Sequence, residues 1–228
     1  MRSKVPTLLD GILLRVLSYV QLLITGLAVA IGVVQEKTSR VVELLLSTVK
    51  PLHLLVGKVL GIGVVGVVQN VAYGVAGLGA ALTTELLTVT GTAVAVFAGT
   101  LGWFVLGFAF FAVLYAAAGL LVSRREEVSS VTAPITVLVV IMFVLAQSSV
   151  QNPGGTVSSV MSWIPPFSAI LMPRHIAAGV TGPVQVAGIA ALMLVVTAGL
   201  TVVSAAIYQR SILRSGSKLS WRQALGRG

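Results

Sequence analysis

Six uncharged polar side chains lie inside long apolar stretches of this sequence, where they are the first candidates for chemistry. They are Gln21, Gln69, Asn70, Tyr73, Tyr115 and Gln147. Amides and phenols donate and accept hydrogen bonds, so they can join neighbouring helices or line a polar path. A hydrogen bond between helices is the better interpretation for each residue singly. Gln69, Asn70 and Tyr73 are the weak candidates for lining a path.

A second set of chemically capable residues lies in the segment 36–49, which has the pattern of a short amphipathic helix. Four apolar residues share one face at helical spacing: Val42, Leu45, Leu46 and Val49. Charged residues of both signs cover the rest of its surface: Glu36, Lys37, Arg40 and Glu43. Pro51 then ends the helix, because the residue before a proline disfavours helical geometry. An interfacial linker is the simpler interpretation, but a linker does not need so many charges.

Motifs for catalysis or for a metal site are weak in this chain. Residues 61–66 fit the G-x-G-x-x-G dinucleotide pattern, but no strand precedes them, so close helix packing through Gly57, Gly61 and their neighbours is the better interpretation. The sequence has two histidines, His53 and His175, and no cysteine, which is too few ligands for a metal site. We therefore predict no catalytic residue, no metal and no cofactor.

The composition of the 228 residues excludes a water-soluble protein. Hydrophobic residues make up 57% of the chain and charged residues 9%, against roughly 25% charged residues in an ordinary soluble domain. The mean hydropathy is +1.04. Soluble enzymes and nucleic-acid-binding domains are thereby excluded for the whole chain, in spite of its net charge of +9. A protein that crosses the membrane several times remains.

Uncharged stretches set the number of membrane spans at five. The shortest has 20 residues, between Arg15 and Glu36, and a spanning helix needs about 20 apolar residues. None shows the two-residue alternation of a membrane barrel, so we predict an all-α polytopic protein with one transmembrane domain over 1–228. The predicted spans are 12–34, 54–82, 92–122, 131–146 and 184–208. Besides the helix 36–49, we predict a helical loop over 147–183 and a polar tail over 209–228.

The lysines and arginines predict the orientation. Eleven of the fifteen lie in 35–58, 123–130 and 209–228, which alternate spans place on one side of the membrane. The positive-inside rule makes that side cytoplasmic, together with the C-terminus. Five spans then put the N-terminus outside, which is unusual for a basic N-terminus that starts at Met1. We expect a preceding span to be missing or to lie on another chain.

The polar segments, taken in order, resemble those of a known family. The run Glu36–Ser47 is followed by Pro51 and Gly57-Lys58, and later elements agree: Arg124–Glu127, Ile164–Ser168, Met172–Arg174 and Tyr208–Arg214. This pattern looks like that of ABC transporter permeases of the ABC-2 type, with the NatB-like sodium-export branch the nearest resemblance. Members of that family usually have one further N-terminal span and a sizeable extracellular domain, and we expect this chain to lack both.

The resemblance implies a permease subunit in a prokaryotic plasma membrane that exports its substrate. It implies two partners, an ABC ATPase subunit and a second permease in a homo- or heterodimer, and no nucleic acid. The chain has no Walker A sequence, so it is not expected to be an enzyme. In the family, the segment that matches Glu36, Lys37, Arg40 and Glu43 is the cytoplasmic coupling helix that docks on the ATPase. The loop that matches 147–183 carries short helices on the outer face.

Two other functions stay open at this stage. The chain can be a non-transporting anchor or accessory subunit of a membrane complex. It can also be a secondary transporter, although the spans contain no buried carboxylate of the kind that such carriers usually need. No residue is selective for one substrate class, so sodium, drugs, peptides and lipids all fit.

Overall fold

The computed structural model describes residues 5–38, 51–83, 91–148 and 154–212, and every regular element within these ranges is helical. Its long helices are α1 (Val5–Thr38), α2 (Pro51–Thr83), α3 (Gly91–Leu120), α4 (Val128–Ser148) and α7 (Pro183–Ile212). Two short helices, α5 (Thr156–Met161) and α6 (Pro165–Ala177), lie between α4 and α7, and a 3-10 turn, Arg125–Glu127, joins α3 to α4.

Five helices in the described ranges are long and apolar enough to cross a membrane. This confirms the predicted helical class and the five candidate spans. Of the predicted segment 36–49, residues 36–38 form the end of α1. Its remaining residues, which include Arg40 and Glu43, and the tail beyond residue 212 lie outside the described residues.

The centre of the bundle is α3. In its span Ala98–Leu120, 61% of the residues are buried, against 6% in the span Val56–Ala76 of α2. Each of the other long helices, and α6, packs against α3. Helix α2 lies at the periphery, where it contacts α1, α3 and, less extensively, α7. Its valines face outward along most of its length, as expected for a helix that meets lipid or another subunit.

The bundle has two distinct ends. At one end α1 stops, α2 starts and the 3-10 turn Arg125–Glu127 connects α3 to α4; we call this the charged end. At the opposite end, α5 and α6 follow α4 and lead into α7, with α6 packed against α3, α4 and α7; we call this the hairpin end. The site described below lies at the hairpin end.

Helices α1 and α3 cross at unusually short range. A Cβ atom added to Gly119 would lie 2.7 Å from the carbonyl oxygen of Ala30. One turn away, the ring of Tyr115 lies against Gly26, where an added Cβ would be 2.5 Å from the ring. The Tyr115 hydroxyl reaches Thr136 Oγ1 on α4 at 3.2 Å. Small residues allow such close backbone approach inside a membrane, and this crossing therefore fixes α1, α3 and α4 together.

The glycines of α2 behave differently from the sequence prediction. Gly57 and Gly61 face open space, because an added Cβ at either would meet nothing within 4 Å. Within the described residues, the predicted close packing is therefore absent at Gly57 and Gly61 themselves and present at a neighbouring glycine. The close contact on α2 is at Gly63, where an added Cβ would lie 2.8 Å from the ring of Phe108.

The loop between α4 and α7 contains the two short helices. The helical conformation ends at Met161 and resumes at Pro165. Pro165 and Pro166 therefore begin α6 and do not interrupt it. Proline suits the first helical positions, because the backbone N–H that it lacks has no partner there anyway. Gly179, at φ 67°, follows the end of α6 and turns the chain toward α7.

The α1–α3 crossing predicts a large difference between two Gly→Ala substitutions. Gly119→Ala should reduce the free energy of unfolding by about 1–3 kcal/mol, because the new methyl group meets backbone rather than a movable side chain. Gly199→Ala on α7 is the control, since its Cβ points into open space and alanine favours a helix by roughly 0.5–1 kcal/mol over glycine. Thermal unfolding in one detergent compares them, and equal stability would contradict the crossing.

Candidate functional site

A cavity of about 320 Å³ opens at the hairpin end, between α1, α2, α3, α4 and α6. Its wall is mostly apolar, with aromatic side chains from three of these helices: Tyr19, Trp103, Phe104 and Phe143. Tyr19 and Phe143 are packed together, with ring centroids 4.6 Å apart. Four further lining residues carry amide, hydroxyl or guanidinium groups: Asn70, Thr100, Gln147 and Arg174. The cavity thus combines an aromatic interior with a few hydrogen-bonding groups.

Arg174 supplies the positive charge of this wall. Its guanidinium Nη1 donates a hydrogen bond to the carbonyl oxygen of Ala146, in the last turn of α4. The last carbonyls of a helix have no partner within it and carry a partial negative charge, so a cation is stabilised there. This contact holds the guanidinium at the cavity and joins α6 to α4.

Three amides form a cluster between α1 and α2. Gln21 Nε2 donates to the carbonyl oxygen of Gly66 at 2.6 Å and to Gln69 Oε1 at 3.1 Å. Asn70 Nδ2 donates to Gln21 Oε1 at 2.7 Å and to the carbonyl oxygen of Gly66 at 3.2 Å. These bonds hold the peripheral α2 to α1, and they orient Asn70 at the edge of the cavity.

Polar contacts also join the helices at the charged end. Lys58 of α2 forms an ion pair with Glu36 of α1, and its side chain packs over Gly32. In the orientation that satisfies both groups, the amide oxygen of Gln35 accepts hydrogen bonds from Arg125 Nη1 at 3.2 Å and Nη2 at 2.9 Å. We call the Glu36–Lys58 pair the clamp. It ties together the two helix ends between which residues 39–50 lie.

Comparisons with known proteins identify the family. The sequence profile described as "ABC-2 family transporter protein" matches residues 3–207. The chain belongs to this family. ABC-2 proteins are membrane subunits of ABC transporters and are not themselves catalytic, so this chain is an ABC-2 membrane subunit.

Two curated proteins are similar in sequence to this ABC-2 chain over part of their length. It is 30% identical over 217 residues to the uncharacterized protein YhaP of Bacillus subtilis, covering 90% of this chain and 51% of YhaP. It is 28% identical over 151 residues to the uncharacterized protein MJ1024 of Methanocaldococcus jannaschii, covering 65% of this chain and 36% of that protein. The chain thus spans about half, or less, of the length of these relatives. No solved structure matches it.

The three residues predicted to line a path have different surroundings in the ABC-2 chain. Asn70 lines the cavity, whereas Gln69 lies on the exposed side of the amide cluster and pairs with Gln21. Tyr73 lies half-buried one turn beyond, outside the cavity wall. The residues predicted for coupling are also divided. Glu36 is engaged in the clamp, Lys37 lies in the last turn of α1, and Arg40 and Glu43 are outside the described residues.

The aromatic wall of the cavity was missed from the sequence. Thr100, Trp103, Phe104 and Gly107 line it from α3 at the spacing i, i+3, i+4, i+7, which is one face of a helix. The helix is apolar on every face, so the sequence does not distinguish the face that lines the cavity from the others. Among the described residues, no group of three potential metal ligands comes together.

A buried histidine connects the two short helices. Ser158 Oγ of α5 lies 2.8 Å from His175 Nε2 of α6, and both side chains are buried. Burial lowers the pKa of His175 below its ordinary value of about 6.5, and the adjacent positive charge of Arg174 lowers it further. The imidazole is therefore neutral at pH 7 in the folded hairpin.

This lowered pKa predicts that acid loosens the contact between α5 and α6. As the pH falls below about 6.5, an exposed histidine binds a proton while the buried one does not, so protonation favours the open form. The protection factors of the α5 amides, which correct the exchange rates for the intrinsic slowing of exchange in acid, should fall between pH 7 and pH 5 in the native chain. The same change of pH should have a smaller effect in His175→Gln. Identical pH profiles for the two proteins would show that His175 does not control the contact.

Proposed function

We propose that this chain is a permease subunit that exports its substrate with energy from a separate ABC ATPase. Family membership supports the ABC assignment, and the observation that carries the mechanism is the clamp between Glu36 and Lys58. The 228 residues contain no Walker A sequence, so the proposed energy source is an ABC ATPase outside them. The segment 39–50, whose ends the clamp joins, is the best candidate for the surface that receives it.

The packing of α1 and α2 supports a proposal about which of the two helices the force from this ATPase would move. Helix α1 is held against α3 at Gly119 and Ala30, whereas α2 has few buried residues. A load on 39–50 therefore meets a fixed helix on one side and a lightly held helix on the other. We infer that α2 moves. It carries Asn70, so its movement would change the wall of the cavity.

The basic residues support the orientation of the proposed exporter. With eleven of the fifteen lysines and arginines on its side, the charged end faces the cytoplasm of a prokaryotic cell, where an ATPase can dock. The hairpin end then faces outward, and an export path runs from the clamp toward the cavity. We propose Asn70 as a residue of this path, with Gln69 and Tyr73 as weaker candidates on the same helix.

The exposed valines of α2 and α7 support the second proposed partner, another permease chain. Val64 and Val68 of α2 and Val195 and Val202 of α7 are each more than half exposed. Such faces pack against lipid or against the second subunit of a homo- or heterodimer. The signature at Glu36–Ser47 also favours the NatB-like branch within the family. This signature does not indicate that sodium is the substrate of this chain.

Charge reversal in the docking segment tests the proposed function. Glu43→Arg should abolish co-purification with the cognate ABC ATPase, together with stimulated ATP hydrolysis, because like charges at an interface repel strongly. Glu85→Arg is the matched control, because it makes the same charge reversal on the predicted outer side of the membrane, away from the ATPase. Both variants should insert into the membrane at native levels.

The alternative functions give other results in this experiment. A non-transporting anchor would retain the ATPase or another partner without stimulating ATP hydrolysis, and a secondary transporter would transport without any ATPase. If Glu43→Arg leaves both association and hydrolysis at the native level, the segment is a linker and the coupling proposal is wrong.

A further inference from the structure

We propose that the cavity at the hairpin end binds a single-chain amphiphile with an anionic headgroup, and that this is the class of molecule that the permease moves. The transport part of this inference rests on the proposed function, whereas the binding part stands on the geometry alone. Three observations carry it: the volume of the cavity, the chemistry of its wall and the position of its positive charge.

The volume favours one short chain. At about 320 Å³ the cavity is near the lower limit of small-molecule sites, which span roughly 300–1,000 Å³. If each heavy atom fills about the volume of a water molecule, ~30 Å³, the space holds on the order of ten such atoms, close to the roughly twelve of a ten-carbon carboxylate. A two-chain phospholipid, a peptide or a polysaccharide is too large to be enclosed. A hydrated inorganic cation is small enough, but the apolar wall would strip it of water.

The wall favours an apolar chain over a polar solute. Tyr19, Phe104, Phe143 and Ile170 are among the lining residues, and Trp103, which also lines the cavity, is nearly fully buried. Aromatic rings gain free energy by contact with methylene groups in proportion to the area removed from water. A sugar or an amino acid would leave most of its hydrogen-bonding groups without partners against these rings.

The charge favours an anion at one end of that chain. Arg174 is the cation in the cavity wall, and none of the described residues that line the cavity is an aspartate or a glutamate. An amphiphilic cation would therefore meet a like charge at close range in this wall, and the two would repel. Gln147 lies next to Ala146, the residue that Arg174 contacts, and adds an amide to the same end of the wall. A guanidinium with a nearby amide suits a carboxylate, sulfate or phosphate monoester.

Trp103 offers a direct readout of binding, because it is one of three tryptophans and it lies in the wall. The probe is decanoate brominated near the end of its chain, since bromine quenches tryptophan fluorescence on contact. The full chain carries Trp163→Phe and Trp221→Phe and is reconstituted in nanodiscs of phosphatidylcholine. We expect saturable quenching of Trp103, and weak quenching by a brominated decyltrimethylammonium ion.

Two pairs of variants separate binding from partition into the bilayer. Arg174→Gln should weaken the quenching by about tenfold or more in apparent affinity, and Arg174→Lys should retain most of it, because the loss of one charged hydrogen bond is worth about that factor. Ala177→Phe, at the exposed rim of the cavity, should block the site, whereas Ala178→Phe beside it should have no effect. A chain that keeps only Trp163, which is exposed, reports amphiphile in the bilayer.

The outcomes distinguish this inference from the proposed function. Quenching of Trp103 that does not saturate, or that is equal for the two probe charges and unchanged in Arg174→Gln, would show that Arg174 only caps α4 and would overturn the binding site. Saturable, charge-dependent quenching without ATP-driven export of decanoate would keep the site and refute its role in transport. Loss of ATPase association in the native chain would refute the proposed function while leaving the quenching result intact.

Discussion

The close crossing of α1 and α3 is the constraint on which the rest of this structure depends. Gly119 brings the two backbones together at Ala30, and Tyr115 extends the contact from Gly26 to Thr136 on α4. Inside a membrane, helices gain nothing by hiding apolar surface from lipid, so van der Waals contact and hydrogen bonds must hold them. The close α1–α3 crossing supplies van der Waals contact between the backbones and the hydrogen bond between Tyr115 and Thr136. It therefore makes α1, α3 and α4 the fixed part of the subunit.

Against this fixed part, α2 is attached at two polar points. The clamp of Glu36 and Lys58 holds it at the charged end, and the amides of Gln21, Gln69 and Asn70 hold it toward the hairpin end. Each polar contact between membrane helices is worth on the order of 1 kcal/mol. An ATPase that docks on the segment between α1 and α2 could therefore shift α2 with modest energy. The cavity changes with it, because Asn70 is one part of the cavity wall.

The sequence predicted the parts of the fold that the bilayer dictates. Charges are expensive in hydrocarbon, so uncharged stretches of sufficient length identify the five spans. Contacts between distant residues were not predictable in the same way. Glu36 was predicted to face a partner, and its pairing with Lys58 depends on how α1 and α2 approach each other across 22 positions. Arg174 lies within the predicted helical loop 147–183, and only the folded hairpin brings it to the end of α4.

The central claim, that α2 moves against a fixed α1–α3–α4 unit, is tested most directly by distances between spin labels in the complex with its ATPase. One pair joins Val75 on α2 to Val144 on α4, and a reference pair joins Ile24 on α1 to Val137 on α4; all four side chains are exposed. When ATP binds, the first distance should change by about 2 Å or more, the scale of helix shifts in switching proteins. The reference distance should stay constant. An unchanged Val75–Val144 distance, with ATP bound and hydrolysis active, would contradict the account.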